Sequence, residues 1–186
     1  SINNPKGYAL FVRGDRSVTA YNQPATATTL RTSGVIYQPI NPPSSISVAA
    51  NKFESVGNPY ASAIDADLFF ADPANAAIDV LYFWEHLTAA AIGYPGYSDA
   101  NFSMGDISLW SEGALGGVGM AAPNGVEVPT KDIASGQGFA IKAASAGITA
   151  TFNNGMRVTG PNDTYRTSRT VERDLIRLNV VNDTYG

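Results

Sequence analysis

The sequence contains no cysteine and a single histidine, His86. The absence of cysteine excludes disulfides, thiolate metal sites and a cysteine nucleophile. A serine–histidine–acid triad would have to use His86, yet the chain contains no Gly-x-Ser-x-Gly elbow. The remaining route to hydrolysis is a pair of carboxylates, such as Asp65 and Asp67, of the kind that glycosidases use as acid and base. Aspartates are also common turn and cap residues, so we expect a non-catalytic protein.

Positive charge is absent from the middle of the chain, because no Lys or Arg lies between Lys52 and Lys131. The same stretch carries ten carboxylates: Glu54, Asp65, Asp67, Asp72, Asp79, Glu85, Asp99, Asp106, Glu112 and Glu127. The arginines lie toward the two ends: Arg13, Arg16, Arg31, Arg157, Arg166, Arg169, Arg173 and Arg177. A net charge of −4 argues against nucleic acid as the main partner. The uneven distribution favours either head-to-tail contacts between subunits or charge pairing within one chain.

Long apolar runs are also missing, and none reaches the ~20 residues that a membrane-spanning helix needs. We therefore expect no membrane span. The sequence starts without Met and without a basic-then-apolar leader, which predicts a mature product or a segment of a longer chain. With 186 residues and 44% hydrophobic composition, the chain has enough apolar material for one domain over residues 1–186.

Turn formers are abundant, with 18 glycines and 11 prolines, and they favour strands joined by turns. Alternating or β-branched patterns predict strands at residues 7–15, 26–40, 77–86, 107–111, 138–143, 147–154 and 173–181. Ser62, with Asp65 three residues later, predicts a short helix over residues 62–70. We interpret residues 40–46 as a connector and residues 87–131 as a loop-rich, variable region. The predicted fold class is all-β and mainly antiparallel: a β-sandwich with a long loop-rich insertion and at most one or two short helices.

One turn-rich motif, Gly57-Asn58-Pro59-Tyr60, stands out between apolar segments. Gly57 and Pro59 can set a tight bend there. Asn58 can cap the bend through its side chain, and Tyr60 can fill the core beside it. Turn chemistry accounts for all four residue types, so we interpret the motif as structural rather than ligand-binding.

Aromatic residues supply the candidates for ligand binding. Trp110, Tyr94 and Tyr97 lie in the loop-rich region, and flat aromatic rings can bury the apolar faces of sugars. Trp84 belongs to the strand pattern at residues 77–86, and we expect it in the core. The sequence therefore predicts a carbohydrate site, if there is one, at Trp110 and its neighbours.

A possible calcium loop lies in the same region. Asp99, Asn101 and Asp106 offer oxygen atoms at spacings that resemble calcium-binding loops. In an EF-hand loop counted from Asp99, Gly105 is one place later than the required glycine, and no glutamate occupies the closing position. We therefore favour an Asx-rich turn and predict neither a metal nor a cofactor.

Seven short segments occur in a recognisable order: GYALFVRGDRS, TTLRTSG, VGNPYASAID, SGQGFAIKA, ITATFNNGMR, YRTS and IRLNV. Together they cover about half of the chain and touch both of its ends. The set resembles a β-rich module of large secreted and cell-surface proteins of the Bacteroidetes that the type IX secretion system exports. The resemblance implies an extracellular or cell-surface location and a non-enzymatic role.

Surface modification is a further expectation. Asn162 and Asn182 each begin an Asn-x-Thr pattern, with Thr164 and Thr184 as third residues. The resemblance to bacterial surface proteins also makes the Asp-Thr pairs that contain these threonines candidates for O-linked glycans. The tripeptide Arg13-Gly14-Asp15, which integrins read in animal matrix proteins, is interpreted here as a strand end and turn.

The function predicted from the sequence is that of a non-catalytic extracellular structural or adhesion module. Its expected partners are other surface proteins or its own copies, associated head to tail into an assembly or filament through strand addition. The alternative is a carbohydrate-binding module that uses the aromatic residues of the 87–131 region, with glycans as partners. A hydrolase is the third hypothesis.

Overall fold

A computed structural model describes residues 5–9, 44–94 and 101–162, together with the single positions 17, 26, 33, 35 and 37. Within these residues nine strands are present: β1 Ser44–Val48, β2 Phe53–Gly57, β3 Ile64–Asp65, β4 Val80–Trp84, β5 Ile107–Ser111, β6 Val118–Met120, β7 Asp132–Ile133, β8 Gly138–Lys142 and β9 Ile148–Phe152. All of their pairings are antiparallel. The predicted all-β, mainly antiparallel fold is confirmed.

The strands form one five-stranded sheet and two pairs. The order in the large sheet is β2-β8-β4-β5-β6, and the pairs are β1-β9 and β3-β7. In the middle of the large sheet, Tyr82 on β4 lies opposite Leu109 on β5 and Ala140 on β8. This register decides which side chains share a face, because neighbouring residues of a strand point to opposite sides.

The core lies between the large sheet and the β1-β9 pair. Three phenylalanines join the two layers, with ring centroids 6.1 Å apart for Phe69 and Phe139 and 5.2 Å apart for Phe69 and Phe152. Leu81 and Ile141 on the large sheet are fully buried beside them. Two β-layers that bury their facing side chains are the basis of a sandwich.

One short α-helix, α1 Ala66–Phe70, packs into this core. The sequence predicted a helix here but assigned the cap to Ser62, which is wrong. Asp65 caps the helix instead, because its Oδ1 accepts hydrogen bonds from the backbone N–H groups of Asp67 and Leu68 at 2.8 and 3.3 Å. The remaining helical turns of the described residues are 3-10 turns at Pro73–Asn75, Met104–Asp106 and Asn154–Met156.

The other strand predictions had mixed outcomes. Residues 77–86, 107–111, 138–143 and 147–154 contain β4, β5, β8 and β9 as expected. The interpretation of residues 40–46 as a connector is wrong for its last three residues, which begin β1. Pairing with β9, where Ile46 lies opposite Ala150, makes this serine-rich segment a strand. Most residues of the candidates at 7–15, 26–40 and 173–181 lie outside the described ones, and the described residues 7–9 are not in a strand.

No helix in the described part of the chain has the length and hydrophobicity to cross a membrane.

Candidate functional site: the outer face of the large sheet

The large sheet is apolar on both of its faces. On β4, Leu81 and Phe83 point into the core, whereas Val80, Tyr82 and Trp84 lie on the outer side. The register continues this outer side across the sheet through Leu109 on β5 and Met120 on β6. Several of its side chains are well exposed: Phe53 at 56%, Trp84 at 46%, Met120 at 60% and Val118 at 66%. The outer side, called the sheet face below, is therefore an exposed apolar surface.

A groove of about 490 Å³ runs over the sheet face. Its walls include Phe53, Tyr82, Leu109 and Met120, and Ala140 lies at its floor between larger neighbours. Phe53 and Tyr82 fix one wall by edge-to-face packing, with their ring centroids 5.2 Å apart. The groove can accept apolar groups, because the side chains that line it have almost no polar atoms.

Charges lie at the rims of the sheet face rather than on it. Lys142, at the end of β8, places its Nζ 5.5 Å from the centre of the Phe53 ring, and Lys52 precedes β2. At the opposite side of the sheet, Glu112 follows β5 directly. All three of these residues are exposed. Of the three, Lys142 shares the outer side with Phe53, which it faces in the register, whereas the alternation of β2 and β5 assigns Lys52 and Glu112 to the inner side.

The edges of β2, β9 and β6 offer little room for an added strand. Residues 5–7 cover the edge of β2, where the Gly7 N–H donates to the Ser55 carbonyl at 2.7 Å and the Gly57 N–H donates to the Pro5 carbonyl at 2.8 Å. On β9, the Asn75 side chain takes the place of a strand and bonds both the N–H and the C=O of Thr151. The other outer strand of the large sheet, β6, is only three residues long. Short or covered edges discourage strand addition, whereas the sheet face is accessible.

An aromatic cluster extends the sheet face at the end of β4. The ring of Trp84 packs edge-on against Phe102 at 4.8 Å and against His86 at 5.7 Å. Phe102 is 39% exposed, and the sequence-based expectation that Trp84 lies in the core is wrong. The alternation of β4 places Trp84 on the outer side, because Leu81 and Phe83 hold the inner one.

Trp110, the main carbohydrate candidate, lies on the inner side of β5. Its indole is half-buried against the hydrophobic core, and its Nε1–H donates to Asp67 Oδ1 at 3.2 Å. The same carboxylate oxygen accepts from the Gly117 N–H at 3.1 Å, so that Asp67 joins α1 to the β5–β6 connection. Tyr94 is half-buried and Tyr97 lies outside the described residues. The two of these candidates that the structure describes, Trp110 and Tyr94, are both half-buried and do not form an exposed aromatic platform.

Asp106, one of the calcium candidates, is fully buried and is surrounded by hydrogen-bond donors. Its carboxylate accepts from the N–H groups of Leu87 and Thr88, from the Thr88 hydroxyl at 2.8 Å and from Asn124 Nδ2 at 2.9 Å. Burial alone would raise the pKa of Asp106, but the bonds from Asn124, Thr88 and Leu87 outweigh it, and the pKa lies below its ordinary value. These bonds fix the start of the loop-rich region.

The other calcium candidates do not complete a metal site. The backbone of Asn101, which is buried, pairs with Ala91 through two hydrogen bonds, and Asp99 lies outside the described residues. The described part of the chain contains no group of three or more His, Cys, Asp or Glu side chains arranged to hold a metal.

The carboxylates considered for catalysis have structural contacts. Asp65 caps α1 and forms an ion pair with Lys131, with Oδ2 and Nζ 2.7 Å apart. The hydrogen bond from Asp65 raises the pKa of Lys131, and the negative charge of Asp65 adds to this effect. Asp67 accepts hydrogen bonds from the Trp110 indole and the Gly117 N–H. His86 is exposed and packs against the Trp84 and Phe102 rings.

The motif at residues 57–60 is a structural corner, and Asn58 is its centre. Asn58 is buried; its Nδ2 donates to the carbonyls of Ser62, Ile133 and Ala134, and its Oδ1 accepts from the Tyr60 N–H at 3.0 Å. Tyr60 fills the core as predicted, and it is 2% exposed.

Gly57 does not have the role that the sequence suggested. It ends β2 without a positive φ, and an added Cβ would lie at an ordinary contact distance of 3.7 Å from the Gln137 carbonyl oxygen. The residue of this corner that needs glycine is Gly136, which has φ 69° and donates its N–H to the Asn58 carbonyl.

Of the modification candidates, Asn162 lies in the described part of the chain. It is exposed, and its Oδ1 accepts a hydrogen bond from the Ser135 N–H at 2.7 Å. Asn182, Thr164 and Thr184 lie outside the described residues, and so does the tripeptide at 13–15.

The sequence reasoning missed the sheet face. A signal was present on β4, where the run Val80–Trp84 is apolar at every position rather than at every second one. Such runs are typical of strands that are covered on both sides.

The fold and this surface define an all-β module that exposes an apolar sheet face. The chain matches the family described as "Domain of unknown function (DUF8693)" over residues 1–185, and it belongs to that family. No curated protein and no solved structure matches the chain.

Proposed function

We propose that the protein is a non-catalytic extracellular module that serves adhesion or the assembly of a surface structure through protein–protein association, including association with its own copies. The sheet face is the observation that carries this proposal. The largest contiguous apolar patch on a protein surface is often an interaction site. The resemblance to secreted proteins of the Bacteroidetes supports a location at the cell surface and export by the type IX secretion system.

The non-catalytic part of the proposal is supported by the contacts of the carboxylates. Asp65 caps α1 and forms an ion pair with Lys131. Asp67 accepts hydrogen bonds from Trp110 and Gly117. These contacts leave the two carboxylates poorly placed to act as a proton donor and a nucleophile. A panel of glycoside, ester and peptide substrates tests this directly. Turnover that is lost in His86→Ala or in Asp65→Asn, with folding retained, would establish the hydrolase hypothesis in its place.

Self-association is tested by light scattering of the full chain against protein and salt concentration. We expect an average mass that rises with protein concentration, and electron microscopy then reports whether the product is closed or filamentous. Head-to-tail contacts remain a hypothesis, because nearly all of the arginines on which it rests lie outside the described residues. A chain that remains monomeric at high concentration and low salt would contradict self-association.

Carbohydrate binding is the second candidate, and the exposed Trp84–Phe102–His86 cluster favours it over the half-buried Trp110. An exposed indole beside a second aromatic ring can stack on a sugar, and His86 supplies a polar group next to it. A glycan array distinguishes the two functions. Binding that is lost in Trp84→Ala and kept in Trp110→Phe would favour the glycan function at this cluster.

A further inference from the structure

The groove on the sheet face has the volume and the lining of a site for a small ligand. Its volume of about 490 Å³ lies within the roughly 300–1,000 Å³ that is usual for ligand pockets. Phe53 and Tyr82 form an aromatic wall at one end, and Leu109, Met104 and Met120 line the other end. Methionine side chains are flexible and adapt to apolar ligands of irregular shape. The groove is therefore suited to a hydrocarbon group.

The groove crosses the strands of the large sheet in their register. Ala140 on β8 lies opposite Tyr82 on β4, which in turn lies opposite Leu109 on β5. Met120 on β6 lies opposite Leu109. The three spacings between these four strands, about 4.8 Å each, amount to about 14 Å. A zigzag aliphatic chain of about twelve carbon atoms has this length, because its C–C bonds are about 1.5 Å long.

One positive charge shares this side of the sheet. Lys142 on β8 lies opposite Phe53, and its Nζ is 5.5 Å from the centre of the Phe53 ring, at the aromatic end of the groove. In the strands of the large sheet that the structure describes, every other position on the outer side is uncharged. The stem of a lysine can lie along apolar surface while its ammonium group remains in water. The ammonium group of Lys142 is therefore available to an anionic group of a ligand that occupies the groove.

The size of the sheet face also favours a small ligand. Five strands at about 4.8 Å, with about 3.4 Å per residue along each strand, give a surface of roughly 19 by 17 Å. A standard protein interface buries ~800 Å² on each partner, so that a protein would have to contact residues outside the sheet face as well. A small ligand needs only the groove and the charge beside it.

We propose that the groove binds a single-chain amphiphile with a carboxylate head, of the fatty-acid class. Its aliphatic chain lies over Ala140 and Leu109 toward Met120, and its carboxylate meets the Nζ of Lys142. Burial of the chain supplies most of the affinity, whereas the exposed ion pair sets the direction of the ligand. The site does not depend on self-association, because one copy of the chain holds all of these residues.

Isothermal titration of the full chain with dodecanoate, below the concentration at which it forms micelles, tests the proposal. We expect one ligand per chain and weaker binding of dodecyltrimethylammonium, which has the same chain and a positive head. Lys142→Glu should raise the dissociation constant of dodecanoate about fivefold or more and should lower that of dodecyltrimethylammonium. The matched control is Lys52→Glu, which makes the same change of net charge at an exposed residue on the inner side. It should alter either constant by less than about twofold, because charges on the far side of the sheet are screened.

A second pair of variants tests whether the chain lies in the groove. Ala140→Leu fills the floor and should weaken the binding of dodecanoate about tenfold or more, because the added side chain would clash with the ligand. Thr149→Leu makes an apolar change at an exposed position on β9 and should bind as the wild type. Thermal melting confirms that each variant is folded, and Met120→Glu replaces Ala140→Leu if the latter does not fold.

The outcomes separate the groove, the head group and the occupant. Wild type that binds no dodecanoate would overturn the inference, and the sheet face would be assigned to a second copy if Met120→Glu then abolished the self-association seen by light scattering. Equal affinities for the two amphiphiles that Lys142→Glu leaves unchanged would overturn the role of the carboxylate. Full affinity in Ala140→Leu and in Met120→Glu would show that the ligand binds elsewhere. Light scattering measures self-association without the ligand, so that failure of one proposal is distinguishable from failure of the other.

Discussion

The indole N–H of Trp110 donates a hydrogen bond to Asp67 Oδ1 at 3.2 Å, and this bond joins the large sheet to helix α1. The two residues are far apart in the sequence, and neither residue type suggests the other as a partner. Because the same oxygen binds the Gly117 N–H, a single carboxylate positions α1, β5 and the connection from β5 to β6.

Removal of this carboxylate should destabilise the fold. In Asp67→Ala the Trp110 indole N–H and the Gly117 N–H lose their acceptor, and we expect the free energy of unfolding to fall by about 1–3 kcal/mol. Asp67→Asn keeps one acceptor oxygen and should lose less. Urea denaturation followed by tryptophan fluorescence measures the change. Asp79→Ala, which alters an exposed carboxylate just before β4, is the control and should change stability by no more than about 0.5 kcal/mol.

The corner at residues 57–60 should depend on Asn58 rather than on Gly57. In Asn58→Ala the Tyr60 N–H loses its acceptor, and the carbonyls of Ile133 and Ala134 each lose one donor, so we expect a loss of about 3 kcal/mol in the free energy of unfolding. Gly57→Ala should be tolerated, since the added Cβ meets only an ordinary contact. Thermal unfolding of the two variants compares them directly. A larger loss in Gly57→Ala than in Asn58→Ala would show that the backbone of the bend, and not the amide, holds the corner.

The buried Asp106 should contribute stability that depends on pH. The pKa of Asp106 in the folded protein lies below the ordinary value of 3.8. Folding therefore stabilises the ionised carboxylate relative to the protonated one. This stability is fully present above about pH 5 and is lost as the pH falls through 3.8 toward the folded pKa. Asp106→Asn should therefore be less stable than the wild type at pH 7, and the difference should narrow by pH 3.

Denaturation at pH 7, 5 and 3 measures the Asp106 effect. Thr149→Ala, a change at an exposed residue that does not titrate, serves as the control and should differ from the wild type by a nearly constant amount. The free energies of unfolding of the wild type and Asp106→Asn are compared at each pH. If their difference were the same at all three pH values, the hydrogen-bond donors around Asp106 would not favour the ionised carboxylate.

Gly119 on β6 should not accept even a methyl group. A Cβ at this position would collide with the Pro129 carbonyl oxygen and would approach the Val128 side chain at 2.7 Å. Gly119→Ala is therefore expected to lower the melting temperature by several degrees, about 1–3 kcal/mol, because backbone must move to make room. Gly93→Ala is the matched control, since nothing lies within 4 Å of its added Cβ. Equal melting temperatures for the two variants would show that residues 128–129 do not pack against β6.

Local patterns in the sequence were sufficient to locate β4, β5, β8 and β9. Side chains of β4 and β9 alternate between two faces, because the period of a strand is a property of the backbone. The corner at Asn58 and Tyr60 was recognised for a similar reason, since an asparagine side chain bonds the backbone two residues ahead within the same segment.

Tertiary contacts decided the structural features that the local sequence patterns did not predict. β1 is a strand because β9 lies beside it, and Asp65 rather than Ser62 caps α1 because the chain enters the helix from the β3–β7 pair. The positions of the two tryptophans also depend on tertiary contacts. Each lies in an apolar strand, and only the packing of the sheet against the β1-β9 pair determines that Trp110 is on the inner side and Trp84 on the outer. The sequence thus determined where β4, β5, β8, β9 and the corner at Asn58 form, through backbone periodicity and side-chain chemistry. The position of the core decided which face of the large sheet is exposed.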